Sequence, residues 1–376
     1  MNFFMDLFGN VLELFQDGGW KYVLMWIIGG VLIFLAIVKK MEPTLLLPMG
    51  FGAILVNLPN SGAVTDEGAV KILYDAGIAN ELFPLLLFIG IGAMIDFGPL
   101  LSNPKLMFFG AAAQFGIFFT FSLAAICGFD IKDAASIAII GAADGPTSIF
   151  VAQTLGASCK GAIMVAAYSY MALVPIIQPP VIKAITTKRE RRIRMEYKPA
   201  NVSKLTKILF PICITIIVGL VSPQSVTLVG FLMFGNLIRE CGVLDNLSDT
   251  AQNVLANLIT IFLGLSIAQN LQAEEFIRLE TIIVLALGLA AFIFDTFGGV
   301  MVAKVVNLFS KKKINPMIGA TGISAFPMSA RVVHKMGLEE DNQNFLLMHT
   351  IGVNVSGQIA SVIAGGLILN LVPAIM

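Results

Sequence analysis

The chain of 376 residues is 57% hydrophobic and only 13% charged, with a mean hydropathy of +0.87. Soluble domains carry about 25% charged residues, so these figures exclude both an ordinary cytoplasmic enzyme and a disordered chain. The 24 basic and 24 acidic residues cancel, which removes the electrostatic case for nucleic-acid binding. What remains is an integral membrane protein, and its apolar residues fall in long runs rather than alternating segments. The spans are therefore helices, not barrel strands.

At the start of the chain, Phe3, Phe4, Leu7, Phe8, Val11, Leu12 and Phe15 share one helical face. This predicts an interfacial amphipathic helix over residues 1–20. Asp6, Glu13 and Asp17, with no basic start, argue against a cleavable signal peptide. Apolar segments follow near 21–38, 45–58, 82–98, 106–127, 134–154 and 161–183. A second set lies near 206–222, 227–239, 254–270, 279–303, 314–333 and 345–372. Between the sets, the run Lys188 to Arg194 predicts a basic cytoplasmic loop over 184–205.

Lys39-Lys40 and Lys311-Lys312-Lys313 belong on the same side by the same rule. Four segments separate the central loop from Lys311, as required, but five separate it from Lys39. The parity is restored if 134–154 enters and leaves by one face. That segment contains Ala143-Asp144-Gly145-Pro146-Thr147, a poor sequence for a continuous lipid-facing helix. Segment 314–333, with Gly319, Gly322 and Pro327, is its counterpart entering from the cytoplasm. The expectation is ten crossings, two re-entrant or broken elements and both termini outside.

Three short texts recur in order at an offset of about 175–180 residues. Ile140-Gly141-Ala142 returns as Ile318-Gly319-Ala320, and Phe88-Ile89-Gly90 resembles Phe262-Leu263-Gly264. Gly50-Phe51 with Asn57-Leu58 returns as Gly230-Phe231 with Asn236-Leu237. An odd number of crossings per half makes the halves inverted. The fold class expected is an all-α polytopic membrane protein of two inverted-topology repeats, 21–183 and 206–376, each of about five spans with one broken helix.

Interrupted helices expose backbone carbonyls as ligands for a hard cation such as Na+. Asp144 lies in the first interruption, where an intramembrane carboxylate calls for either a bound ion or a role as helix cap. In the second, Asn315, Gly319 and Ser324 offer neutral oxygens and close backbone approach. Arg331 at its far end either snorkels to the interface or binds a carboxylate by its planar fork. Asn354, Ser356 and Gln358 form a polar cluster in the last span, and Tyr170 lies mid-span. Asp96 and Asp295 read as helix terminators, and His334 and His349 as solvated. Cys127, Cys159, Cys213 and Cys241 are scattered and, with only two histidines, give no zinc or cluster spacing.

The stretches 140–147, 315–331 and 352–357 resemble the beta subunit of sodium-pumping biotin-dependent decarboxylases, over essentially the whole chain. Its short length is more like the acyl-CoA decarboxylase branch than the oxaloacetate branch. The resemblance implies a cell-membrane subunit working with a biotin-carrier subunit, a cytoplasmic carboxyltransferase and a small membrane subunit, and forming a homo-oligomer. It implies that this subunit decarboxylates carboxybiotin and exports Na+ from the cytoplasm. It also implies a sodium-binding and translocation set of Asp144, Tyr170, Asn315, Gly319, Ser324, Arg331 and Asn354. From the residues alone, a stand-alone sodium-coupled transporter or exchanger and a non-catalytic anchor remain the rival expectations.

Overall fold

The computed structural model describes residues 9–16, 18–196 and 201–375. Among these the fold is entirely helical, with no strand. Residues 1–8 of the expected interfacial helix lie outside the described residues; its described part is helical over 9–13, with Val11, Leu12 and Phe15 exposed.

Each apolar run of the sequence becomes helix. Seven helices are long and apolar enough to cross a membrane: Gly19–Ile37, Pro104–Ile126, Lys160–Ile185, Lys204–Val221, Asp245–Leu271, Leu279–Phe309 and Leu347–Ile375. Ala69–Gly77 and Leu82–Met94 together pass the same test but are bent by 67°. Pro43–Val56, Leu82–Met94 and Val226–Cys241 have 14, 13 and 16 residues, and these three would complete the ten crossings. At about 1.5 Å per residue they reach roughly 20–24 Å, short of a hydrocarbon core of about 30 Å.

The seven long helices divide by burial. Gly19–Ile37 and Lys204–Val221 have 17% and 11% of their apolar windows buried, against 61% for Lys160–Ile185 and 56% for Leu347–Ile375. The first pair forms the rim and the second pair the interior. Between lipid-like surfaces there is no hydrophobic gain from association, so close backbone packing and internal hydrogen bonds hold such helices together. Leu279–Phe309 runs through the centre, against Pro104–Ile126, Lys160–Ile185 and both interrupted segments. Leu82–Met94 packs on Val226–Cys241, and Pro43–Val56 packs on the Asp245–Leu271 helix.

Two side-chain arrangements recur at matching places. Asn57 donates to the Leu271 carbonyl at 2.7 Å, closing the end of one helix, and accepts from the Ala273 N–H at 2.7 Å. Asn236 donates to the Ile95 carbonyl at 2.9 Å, just past the end of Leu82–Met94. Gln178 donates to the Ala320 carbonyl at 2.8 Å, in the second interruption. Gln358 donates to the Asp144 carboxylate at 3.3 Å, beside the first.

The central basic run is docked onto the protein body. Thr187 and Glu190 form a reciprocal capping box at the start of the short helix Lys188–Arg191. Arg191 is buried and pairs with Glu340 at 2.6 Å while donating to the Thr186 carbonyl at 2.6 Å. Arg194 engages Asp341 through two bonds of 2.7 and 3.0 Å. Its charge-assisted bond from Arg191 holds the Glu340 carboxyl below the usual range, and the bond from Arg194 does the same for Asp341.

Candidate functional site at the crossed interruptions

Residues 131–154 start and end as α-helix but break in the middle. Ile131–Ala138 tightens into a 3-10 turn over Ile139–Ala142, and Ala143 then takes a left-handed φ of +51°. That residue turns the chain, and Asp144 follows in extended geometry as N-cap of Gly145–Thr154. Pro146 suits such a start because its missing N–H would have been unpaired there. In the second segment, Pro316–Gly322 is a 3-10 run capped by Asn315, and the α-helix resumes only at Met328–Glu340. Gly319 abuts Gly299 so closely that a Cβ on either would lie 2.0 Å from the other's carbonyl oxygen. Only glycine permits that approach.

The two interruptions touch. The Ser324 N–H donates to the Ala142 carbonyl at 2.8 Å, joining the end of one broken run to the end of the other. Around this crossing lies a network of buried oxygens. Asp144, 3% exposed, accepts from the Thr147 hydroxyl at 2.8 Å, the Thr147 N–H at 3.3 Å and the Ser361 hydroxyl at 3.1 Å. The amide of Gln358 adds a further donor at 3.3 Å. Ser324 donates to the Gly357 carbonyl at 3.1 Å and is hydrogen-bonded to Ser361. Asn354 donates to the carbonyls of Thr321 at 3.2 Å and Ile323 at 2.7 Å, while its own Oδ1 is buried without a partner.

The Asp144 carboxylate thus receives neutral donors only, and no basic side chain forms an ion pair with it among the described residues. A buried anion without a counter-charge is costly, and hydrogen bonds from neutral groups repay only part of that cost. A monovalent cation at this point would balance the charge, and the unpaired Asn354 oxygen would be an added ligand.

Asp144, Ser324 and Asn354 are brought together, and Gly319 lies against the same central helix. Asn315 is placed elsewhere. Its amide donates to the carbonyls of Arg191 at 2.8 Å and Ile193 at 3.0 Å, so it ties the second interruption to the basic loop. Tyr170 donates to the Leu285 carbonyl and packs with Ile140 against Gly288 of the central helix, without a bond to Asp144. Arg331 is exposed, and its charge acts on Glu42.

Several neighbours were not singled out from the sequence as partners of the carboxylate. Ser361 lies one turn beyond the polar cluster read in the last span. Tyr168, rather than Tyr170, places its ring against Gly145, where a Cβ would lie 2.4 Å from the ring, and its buried hydroxyl has no partner. Two residues along a helix differ by about 200° in direction, so only packing separates these tyrosines. Asp96 follows the end of Leu82–Met94 and accepts from the Gly98 N–H at 2.8 Å, as a terminator would. Asp295 does not terminate a helix; it lies within Leu279–Phe309 and is fully buried. His349 is buried rather than solvated.

The fold and this interior define a polytopic, all-helical membrane protein organised around a buried carboxylate at crossed helix breaks. Residues 21–372 match the family described as Na+-transporting oxaloacetate decarboxylase beta subunit. The chain belongs to this family of sodium-transporting decarboxylase beta subunits. It is 44% identical over 430 residues to the probable oxaloacetate decarboxylase beta chain of Vibrio cholerae, covering 96% of this chain and 99% of that one. It is 47% identical over 374 residues to glutaconyl-CoA decarboxylase subunit beta of Acidaminococcus fermentans, with 98% and 99% covered. Methylmalonyl-CoA decarboxylase subunit beta of Propionigenium modestum is 48% identical over 373 residues, with 93% and 94% covered.

Proposed function

We propose that this chain decarboxylates carboxybiotin and couples that reaction to Na+ export across the cell membrane. The observation that carries the reading is the buried Asp144 carboxylate, held by neutral donors where the two interruptions meet. In the proposed cycle Na+ enters from the cytoplasm and is bound by Asp144, Ser324 and Asn354. The Gly319–Gly299 contact keeps the second interruption pressed on the central helix. Asn315 positions that interruption from the basic loop, and the exposed Arg331 orients the carboxybiotin carboxylate.

In the chemical step the bond between the biotin nitrogen and the carboxylate carbon breaks, CO2 leaves, and the nitrogen keeps the electron pair. A proton must then reach that nitrogen. Displacement of a proton from Asp144 by Na+ supplies it and ties chemistry to transport. Tyr170 is the second candidate donor, although the Leu285 carbonyl already occupies its hydroxyl.

The matching roles of Asn57 and Asn236, and of Gln178 and Gln358, support two inverted repeats over 21–183 and 206–376 that move against each other. The partners of this reading are a biotin-carrier subunit, a cytoplasmic carboxyltransferase, a small membrane subunit and further copies of the chain. An acyl-CoA is the substrate class proposed for the complex. The alignments with the two CoA-ester relatives span 374 and 373 residues, close to the chain's own 376, whereas that with the Vibrio chain spreads over 430.

Asp144→Asn is the decisive test. Reconstituted with its partner subunits, this variant should lose Na+-dependent CO2 release and 22Na+ uptake to background while carboxyl transfer onto biotin continues. Sodium-stimulated decarboxylation surviving in the variant would reject the assignment. Transport of Na+ by the purified chain without any biotinylated partner would favour the stand-alone transporter.

A further inference from the structure

A second acidic side chain is buried in the interior without a counter-charge. Asp295 is fully buried in Leu279–Phe309. At helical rise it lies about 22 Å from Glu280 and about 13 Å from Lys304 along the same helix, deep within a hydrocarbon core of roughly 30 Å. Its Oδ1 accepts from the backbone N–H of Ile117 at 3.2 Å. Its Oδ2 has no hydrogen-bond partner and faces Gly141 in the first interruption, where a Cβ would lie 2.5 Å from it. The buried hydroxyls of Thr296 and Thr120 are also without partners. Thr120 lies one turn beyond Gly116, on the face that meets the central helix.

On the elements packed around Asp295, charged residues stand near the ends. These are Glu280 and Lys304 on its own helix, Lys105 before Met107–Ala113, Lys132 and Asp133 at the start of Ile131–Ala138, and Lys160 and Lys183 on Lys160–Ile185. Pro316–Gly322 carries none, and Tyr170 is committed to the Leu285 carbonyl. The nearest acid across the first interruption is Asp144. Among the described residues the one buried basic side chain is Arg191, and it is paired with Glu340. Backbone N–H donation alone does not offset an ionised carboxylate in such surroundings.

We propose that Asp295 is a second monovalent-cation site of this protein, distinct from the one at Asp144. The occupant is a proton on Oδ2 or a sodium ion bound by that oxygen, and the single free carboxylate oxygen favours the proton. Oδ2 lies against the backbone at Gly141, where there is no room for a side chain, so an ionised carboxylate there stands uncompensated beside the first interruption. The inference rests on charge balance in a membrane interior and does not depend on which reaction drives transport.

The test compares the full-length wild type, Asp295→Asn and Asp144→Asn in lipid nanodiscs, by 22Na+ binding and by the infrared C=O stretch of protonated carboxyl groups. If a proton occupies the site, Asp295→Asn loses one protonated-carboxyl band and binds as much Na+ as the wild type. If sodium does, Asp295→Asn binds one Na+ fewer per chain with no change in that band. Wild-type values for both quantities in Asp295→Asn would overturn the proposal. Should Asp295→Asn fail to fold, Asp295→Ala is read by the same two quantities: loss of one protonated-carboxyl band or of one bound Na+ supports the site, and wild-type values for both reject it. Failure of these arms leaves the decarboxylation assay of Asp144→Asn untouched, so the two readings fail separately.

Discussion

The two interruptions break their helices in similar ways but are held by different forces. The first carries an acid inside the break, and what fixes it is a set of neutral donors to Asp144 from Thr147, Ser361 and Gln358. The second carries no charge between Asn315 and Ser329; it is fixed by backbone contact at Gly319 and by the amide of Asn315 on the basic loop. One break is therefore an electrostatic element built around a buried carboxylate, and the other is a packed element clamped from the basic loop. A cation arriving at Asp144 alters the first directly. The second feels it through the Ser324–Ala142 bond and the Ser324–Ser361 contact.

The largest effect expected from breaking this contrast is at the packed element. Gly319→Ala drives a methyl group to 2.0 Å from the Gly299 carbonyl oxygen, and neither backbone can yield as a flexible side chain would. The cost should reach about 3 kcal/mol, the upper end for overpacking. A thermal melt in detergent should show a lowered midpoint, and sodium-dependent decarboxylation should disappear with it. A variant of wild-type stability would mean that the two backbones are not in contact in the working protein.

Ser361→Ala acts on the electrostatic element and should be milder. It removes one hydroxyl donor to Asp144 and the partner of Ser324, each hydrogen bond contributing about 1 kcal/mol net. The Na+ concentration for half-maximal decarboxylation should rise by up to about thirtyfold, with the melting midpoint lowered by only a few degrees. A large loss of stability without a shift in Na+ dependence would show that Ser361 is a packing residue only.

Much of this contrast was legible in the sequence. The apolar runs marked the helices, and Gly, Pro and Asp inside two of them marked the breaks, because no continuous helix accommodates Asp144-Gly145-Pro146 comfortably. What could not be read was which distant groups meet there. Asn315 looked like a ligand by residue type, yet its partners are carbonyls more than a hundred positions earlier. Ser361 follows Gln358 by three residues, but only the packing of the last span against Gly145–Thr154 points both at one carboxylate. Asp295 looked like a terminator because Phe-Asp-Thr-Phe-Gly-Gly reads as a helix end. The helix continues to Phe309 because its glycines, Gly298 and Gly299, are packing surfaces against Phe115 and Gly319. The basic run read as a loop, and its docking could not be read because its partners, Glu340 and Asp341, stand at the end of a distant helix, Met328–Glu340.

That clamp gives the smallest and most selective prediction. The bonds from Arg191 and Arg194 hold the pKa values of Glu340 and Asp341 below the ordinary carboxylate range. Groups whose folded-state pKa is depressed contribute stability above their unfolded pKa, and that contribution is lost as pH falls through the folded value. Protection of residues 188–194 from hydrogen exchange, corrected for intrinsic rate, should therefore stay flat from about pH 8 to about pH 5 and fall only below about pH 4. Glu340→Gln should remove the acid-sensitive part of that protection for Arg191 while leaving the Arg194–Asp341 pair in place. Protection that already declines between about pH 7 and about pH 5 would place the control in a histidine rather than in these carboxylates, since His is the side chain that ordinarily titrates there. The second interruption would then answer to protons in the neutral range, and its difference from the first would be one of degree.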